Sequence, residues 1–154
     1  MVRQGWFWVA SGAGLLLDQL SKSLVVHHFG LGESWPLWAG VFHLTYVLNT
    51  GAAFSLFAQG TAWLRWLSVA VSAGLLALAV LGPRLAIAEQ WGYGLILAGA
   101  MGNGIDRFRL GAVIDFLDVR WINFPIFNLA DVWINLGLVC LFGHYLRSQF
   151  SKNS

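Results

Sequence analysis

Four of the seven acidic residues in this chain, Asp106, Asp115, Asp118 and Asp131, fall in its last third. What each can do depends on its neighbours. Asp106 sits beside Arg107, with Asn103 three and four residues earlier on the same helix face. A guanidinium next to a carboxylate keeps it ionised, which makes it a poor proton carrier. Asn103, Asp106 and Arg107 therefore read as a polar knot fixing a helix end. Asp118 lies two residues from Arg120, out of step with any helix, and reads as a solvated loop acid. Asp115 (in VIDF) and Asp131 (in FNLAD) have no basic neighbour in their own turn. Two unpaired carboxylates brought close share a proton, and their apparent pKa values split. One can then act as base to a water while the other donates to a carbonyl oxygen, which hydrolyses an amide without a metal or cofactor. The opposing reading is that Asp131 is a first-turn acid favoured by the helix dipole. Spacing and composition leave both open.

Other polar residues gather nearby. Asn128, Asp131 and Asn135 are spaced three and four apart, giving one helix a polar stripe. Asp18 and Lys22 are four apart in DQLSK and read as a pair that neutralises itself on one helix face. A Ser21–Lys22 catalytic dyad is the rival, weakened because adjacent helical residues point in different directions. NTGAAFS, Asn49–Ser55, follows a strand-like run; Gly51 suggests a tight turn, and Asn49 could cap it or donate to a bound peptide backbone. His27, His28, His43 and His144 lack metal-ligand spacing and read as interfacial or structural. Cys140, the single cysteine, reads as a small hydrophobe.

The elements that must position these groups are membranous. Of the 154 residues 58% are hydrophobic and 10% charged, against about 25% charged in a soluble domain. So short a chain leaves much of its surface exposed, so that surface must face lipid. Nine tryptophans agree, since Trp favours the membrane interface. A spanning helix needs about 20 mainly apolar residues. Four segments qualify, approximately 6–26, 62–81, 91–108 and 129–146. Small residues run through the third from Gly92 to Gly104 and permit close helix approach in lipid. Arg3 and Gly5–Leu17 resemble the start of a signal peptide, but without a cleavage site before a soluble domain the segment is expected to remain as the first helix. The expected fold class is a mainly α integral membrane protein, one domain over 1–154, with four transmembrane helices and a small extramembrane β-sheet. The sheet would come from 27–61 and 109–128, where Val41–Asn49 and Ala112–Trp121 read as strands. Four helices put both long connections on one side and the termini on the other. Lys and Arg counts on the two sides are nearly equal and do not settle orientation.

A formal net charge of +2 without a basic run excludes a nucleic-acid partner. Two non-proteolytic classes compete with peptide hydrolysis: a small proton-coupled transporter using Asp115 and Asp131 as a relay, and a lipid-binding assembly factor without chemistry. Against the transporter, the acids gather at one interface, and no broken-helix repeat appears.

DQLSK, NTGAAFS, GNGIDR, VIDF and FNLAD occur in that order, and together they resemble the bacterial lipoprotein signal peptidase (signal peptidase II) family over nearly the whole chain. The resemblance implies an aspartic endopeptidase with Asp115 and Asp131 as its dyad. It implies prolipoprotein substrates whose lipobox cysteine carries diacylglycerol, cleaved just before that cysteine. Asn49, Gly51, Asn103, Arg107 and Asn128 would bind and orient substrate; Asp18, Lys22, Asp106 and Asn135 would have supporting roles. It further implies inhibition by globomycin-type cyclic peptides and contact with membrane lipids. The location implied is the bacterial cytoplasmic (inner) membrane, with cytoplasmic termini and an active site near the outer leaflet.

Overall fold

The computed structural model describes residues 4–51 and 61–152, so the end of the NTGAAFS motif, from Ala52, lies outside the described residues. Along the chain run α1 (Gly5–His28), β1 (Ser34–Trp38), β2 (Phe42–Asn49), α2 (Thr61–Leu81), α3 (Ile87–Leu110), β3 (Val113–Val119), a 3-10 turn (Arg120–Ile122) and α4 (Leu129–Lys152).

All four expected helices are present, and two are longer than their hydropathy indicates. α3 starts at Ile87 because Glu89, which precedes the expected 91–108 segment, accepts the Ala86 backbone N–H at 2.8 Å and so caps the first turn. It ends at Gly111, whose φ of +70° suits glycine and whose N–H reaches the Arg107 carbonyl at 3.2 Å. α4 continues to Lys152. At 1.5 Å per residue, a 24-residue helix such as α1, α3 or α4 is about 36 Å long. That exceeds the roughly 30 Å hydrocarbon layer of a bilayer.

α3 is the central helix. Its N-terminal half runs beside that of α1, where the Trp6 N–H donates to Gln90 at 3.1 Å and the Gln4 amide donates to the Pro83 carbonyl at 2.7 Å. It runs antiparallel to α4. The small residues let the backbones meet: a Cβ on Gly94 would fall 2.6 Å from the Phe7 carbonyl, one on Gly99 would strike the Ala130 carbonyl, and one on Gly102 would strike the Asp18 carboxylate.

The distribution of polarity is inverted relative to a soluble protein. Asp18, Lys22, Asn103, Asp106, Asp115 and Asn128 are buried, while Leu16, Leu20, Leu24, Val69, Leu138, Val139 and Phe142 face outward. An ionisable group inside and apolar side chains outside is the arrangement that lipid demands. Two helical stretches, Trp63–Leu81 and Leu129–Phe150, are long and apolar enough to cross a membrane by length and composition alone. α1 carries Asp18 (0% exposed) and Lys22 (2%) and α3 carries Asp106 (3%) on inward faces, which lowers their average hydropathy without bringing these charges to the surface.

The sheet has three antiparallel strands in the order β1-β2-β3. β2 and β3 fall where alternation predicts strands. β1 (SWPLW) does not announce itself, because Pro36 cannot donate to a ladder; the edge position makes that tolerable. Between Leu44 and Val47 the β2–β3 register shifts by one residue, which places Val47 opposite Asp115 and Asn49 opposite Val113.

Candidate active site

The ends of α1, α3 and α4 converge under β3. β3 begins three residues after α3, so Asp115 hangs over the C-terminal turn of that helix, and the Ile114 N–H is received by Asp106 at 3.2 Å. Asp131 enters from the first turn of α4. There Asn128 and Asp131 cap each other: the Asn128 N–H donates to Asp131 Oδ2 at 3.2 Å, and the Asp131 N–H donates to Asn128 Oδ1 at 3.1 Å.

Two side-chain amides connect the carboxylates. Asn128 Nδ2 donates to Asp115 Oδ1 at 2.7 Å and to Asn103 Oδ1 at 3.0 Å; Asn103 Nδ2 donates to Asp131 Oδ1 at 2.9 Å. Asn49, two residues along β2 from the partner of Asp115 and hence on the same sheet face, donates to Asp115 Oδ2 at 2.8 Å. Its own Oδ1 accepts the Gly51 N–H at 2.9 Å, a turn for which Gly51 takes a φ of +94°. Burial pushes the Asp115 carboxyl up to about 6; the Asp131 charge adds to this, while the bonds from Asn49 and Asn128 and the charge of Lys22 oppose it. A cavity of about 270 Å³ opens at Asp115, lined by Val47, Leu48, Asn49, Thr50, Pro125 and Ile126.

Below the pair lies a buried ionic triad. Lys22 Nζ is 2.9 Å from Asp18 Oδ2 and 2.8 Å from Asp106 Oδ2. Three expectations change here. Asp18 and Lys22 are not a self-contained pair, because Asp106 shares the lysine. Asp106 is held by Lys22 and not by its sequence neighbour Arg107, since residues one apart on a helix point in different directions. Asp118 is no solvated loop acid: it is buried in β3, accepts from Thr45 Oγ1 at 2.6 Å and pairs with Arg120 at 2.8 Å. Burial works to raise its pKa, but those hydrogen bonds and the Arg120 charge outweigh it, and the carboxyl lies below its usual value. Three residues from Asp115 on a strand, it faces the opposite side of the sheet.

Arg107 is left to donate to Ser68 Oγ at 3.4 Å, and its charge acts on Asp131, Asp115 and Asp106. The basic group near the two acids therefore comes from a neighbouring helix, where sequence adjacency cannot reveal it. Asn135 is exposed and donates to the Asp131 backbone carbonyl at 2.8 Å, a local helix contact. Ser21 donates to the Asp18 carbonyl at 2.8 Å and makes no dyad with Lys22. Sequence reasoning missed Gln19, whose amide reaches Asp18 at 3.1 Å and Asp106 at 3.4 Å; its place inside DQLSK was the available signal.

An apolar exterior around a buried polar network ending in two carboxylates defines a helical membrane protein with a site at one end. Its fold matches a bacterial membrane enzyme solved in meso at 2.3 Å, with a TM-score of 0.86 at 25% identity over 96% of this chain and 92% of that one. A sequence profile described as Signal peptidase (SPase) II matches residues 10–147. The lipoprotein signal peptidase of Gloeothece citriformis is 60% identical over 92% of this chain and 89% of its own length. That of a Cyanothece species is 63% identical over 88% and 80%. The chain belongs to the signal peptidase II family, a family of membrane proteases.

Proposed function

We propose that this chain is a membrane-embedded aspartic endopeptidase that removes signal peptides from diacylglyceryl-modified prolipoproteins by cutting just before the lipidated cysteine. The observation that carries the mechanism is the pairing of Asp115 and Asp131 through Asn128 and Asn103, with no ion pair to either acid among the described residues. A carboxyl lifted to about 6 can both give and take a proton near neutral pH. The ionised carboxylate takes a proton from water as its oxygen attacks the scissile carbonyl carbon. The protonated one donates to the carbonyl oxygen. When the tetrahedral intermediate collapses, the C–N bond breaks, the leaving nitrogen takes the proton the base collected, and one gem-diol hydroxyl returns its proton to the other carboxylate as the carbonyl re-forms. The shared proton belongs to the pair.

In this reading the side chains of Asn103 and Asn128, already engaged by protein partners, orient the carboxylates. Gly51 and Arg107 would meet substrate, and strand pairing from the sheet would hold an extended peptide. All four helices span a bacterial inner membrane as one domain. The termini are cytoplasmic and the dyad lies near the outer leaflet, where acyl chains stay in hydrocarbon and water reaches the acids. Globomycin-type peptides would occupy the same cavity. The transporter alternative loses ground to the apolar cluster of Phe7, Ala79 and Leu97, which lies between this network and the hydrogen bonds that Gln4 and Gln90 each make to the α2–α3 connection at the other end. Incubation with a lipidated precursor tests the proposal: a shortened product beginning at the lipidated cysteine supports it, and an uncut precursor bound or released intact would refute it.

A further inference from the structure

We infer that Lys22 is a positioning residue for the dyad, acting through the side-chain amide of Asn103; this rests on the aspartic reading above. The Asn103 amide has one end that only accepts and one that only donates. Its Oδ1 faces two donors, Lys22 Nζ at 3.1 Å and Asn128 Nδ2 at 3.0 Å. Turning the amide over would set its NH2 against an ammonium and its carbonyl against the Asp131 carboxylate. The lysine therefore dictates that Nδ2 donates to Asp131 Oδ1, at 2.9 Å. Asn128 is fixed in the same way, because its Oδ1 receives the Asp131 N–H, leaving its Nδ2 for Asp115. A buried cation at Asn103 and a backbone N–H at Asn128 thus set the donor direction of a chain that ends on both acids.

Position and charge act in the same sense. The lysine charge favours the ionised form of Asp115, and it polarises the Asn103 amide toward stronger donation to Asp131. The charged groups acting on the two acids are Lys22 from α1 and Arg107 from α3, with Asp18 and Asp106 paired to Lys22; β3 and α4 contribute the acids themselves. Lys22 touches neither acid, so its effect is on their geometry and proton affinity.

Removing Lys22 alone strands two buried carboxylates, so the informative variant is the double change Lys22→Met with Asp106→Asn, which keeps the net charge of the triad. The experiment measures kcat and KM against pH on a lipidated precursor, together with the thermal midpoint in detergent. The expected result is a kcat lowered by about tenfold or more, KM changed less than about twofold, and an acid limb moved to higher pH. Asn103→Ala, which cuts the link and leaves the triad whole, should show the same upward shift of the limb. A folded double variant with the parent's kcat and pH profile overturns the inference. Should the double variant fail to fold, an unshifted profile in Asn103→Ala overturns it equally. Normal cleavage by Asp115→Asn would instead refute the dyad, whatever Lys22 does.

Discussion

Asn128 donates its side-chain amide to Asp115 at 2.7 Å, and at 0% exposure it is as buried as any polar residue described. It is also the residue that caps α4 against Asp131. A helix cap and a hydrogen bond to the proposed dyad are thus one side chain, and the start of α4 cannot shift without moving both acids.

Asp115→Asn and Asp131→Asn should each lower cleavage by about 10²–10⁴-fold while the protein stays folded, because an amide can neither take nor give the transferred proton. Single-turnover cleavage of a lipidated precursor, with size-exclusion profiles as the folding control, measures this. Near-normal cleavage by either variant would falsify the assignment. Asp118→Asn, on the far face of the sheet, should keep most activity. Losing the pair with the half-exposed Arg120 should cost only about 0.5–1 kcal/mol.

The triad makes the two single truncations on α1 unequal. Asp18→Ala leaves Lys22 with Asp106, a neutral pair. Lys22→Ala leaves Asp18 and Asp106 facing each other without a cation. Breaking a buried pair costs about 3–5 kcal/mol, and the lysine variant should be the less stable of the two. Thermal midpoints in detergent order them; equal midpoints would argue against a shared lysine.

Stability should depend on pH through Asp115. Its carboxyl is raised from 3.8 to about 6, so between those values the folded protein holds a proton that the unfolded chain releases. Stability from this group is then greatest near pH 4, falls as pH rises through about 6, and is flat above. The full difference is about 3 kcal/mol, from 1.36 kcal/mol per unit. The thermal midpoint should rise on acidification from pH 7 to 5, and Asp115→Asn should flatten that slope. A slope unchanged by the substitution would place the titration elsewhere.

Topology is testable by cysteine accessibility in a Cys140→Ala background. In the α2–α3 connection Leu85 is buried against Gln4, whereas its neighbour Arg84 is exposed. Leu31, between α1 and β1, is 66% exposed. Leu31→Cys should label in intact cells and Arg84→Cys only after the membrane is breached. The reverse pattern would put the dyad on the cytoplasmic face, out of reach of a translocated lipobox.

The helices and two of the strands were legible in the sequence because apolar length and alternation are local properties. The order of five motifs likewise carried the family. Asp115 and Asp131 stood out by having no cation in their own turns, which one line of text can reveal. What the sequence left open was partnership across elements. Asp106 lies next to Arg107 in sequence yet belongs to Lys22, 84 positions away, because helical neighbours diverge while glycines at 94, 99 and 102 draw three backbones together. The chain alone could not reveal β1, whose proline hides an edge strand, nor the burial of Asp118, which depends on three strands closing over it. Nor could it show that Asn103 stands between a lysine and an aspartate. Composition and periodicity act through near neighbours, whereas the direction of each buried hydrogen bond is settled only when the helices meet and every donor must find an acceptor.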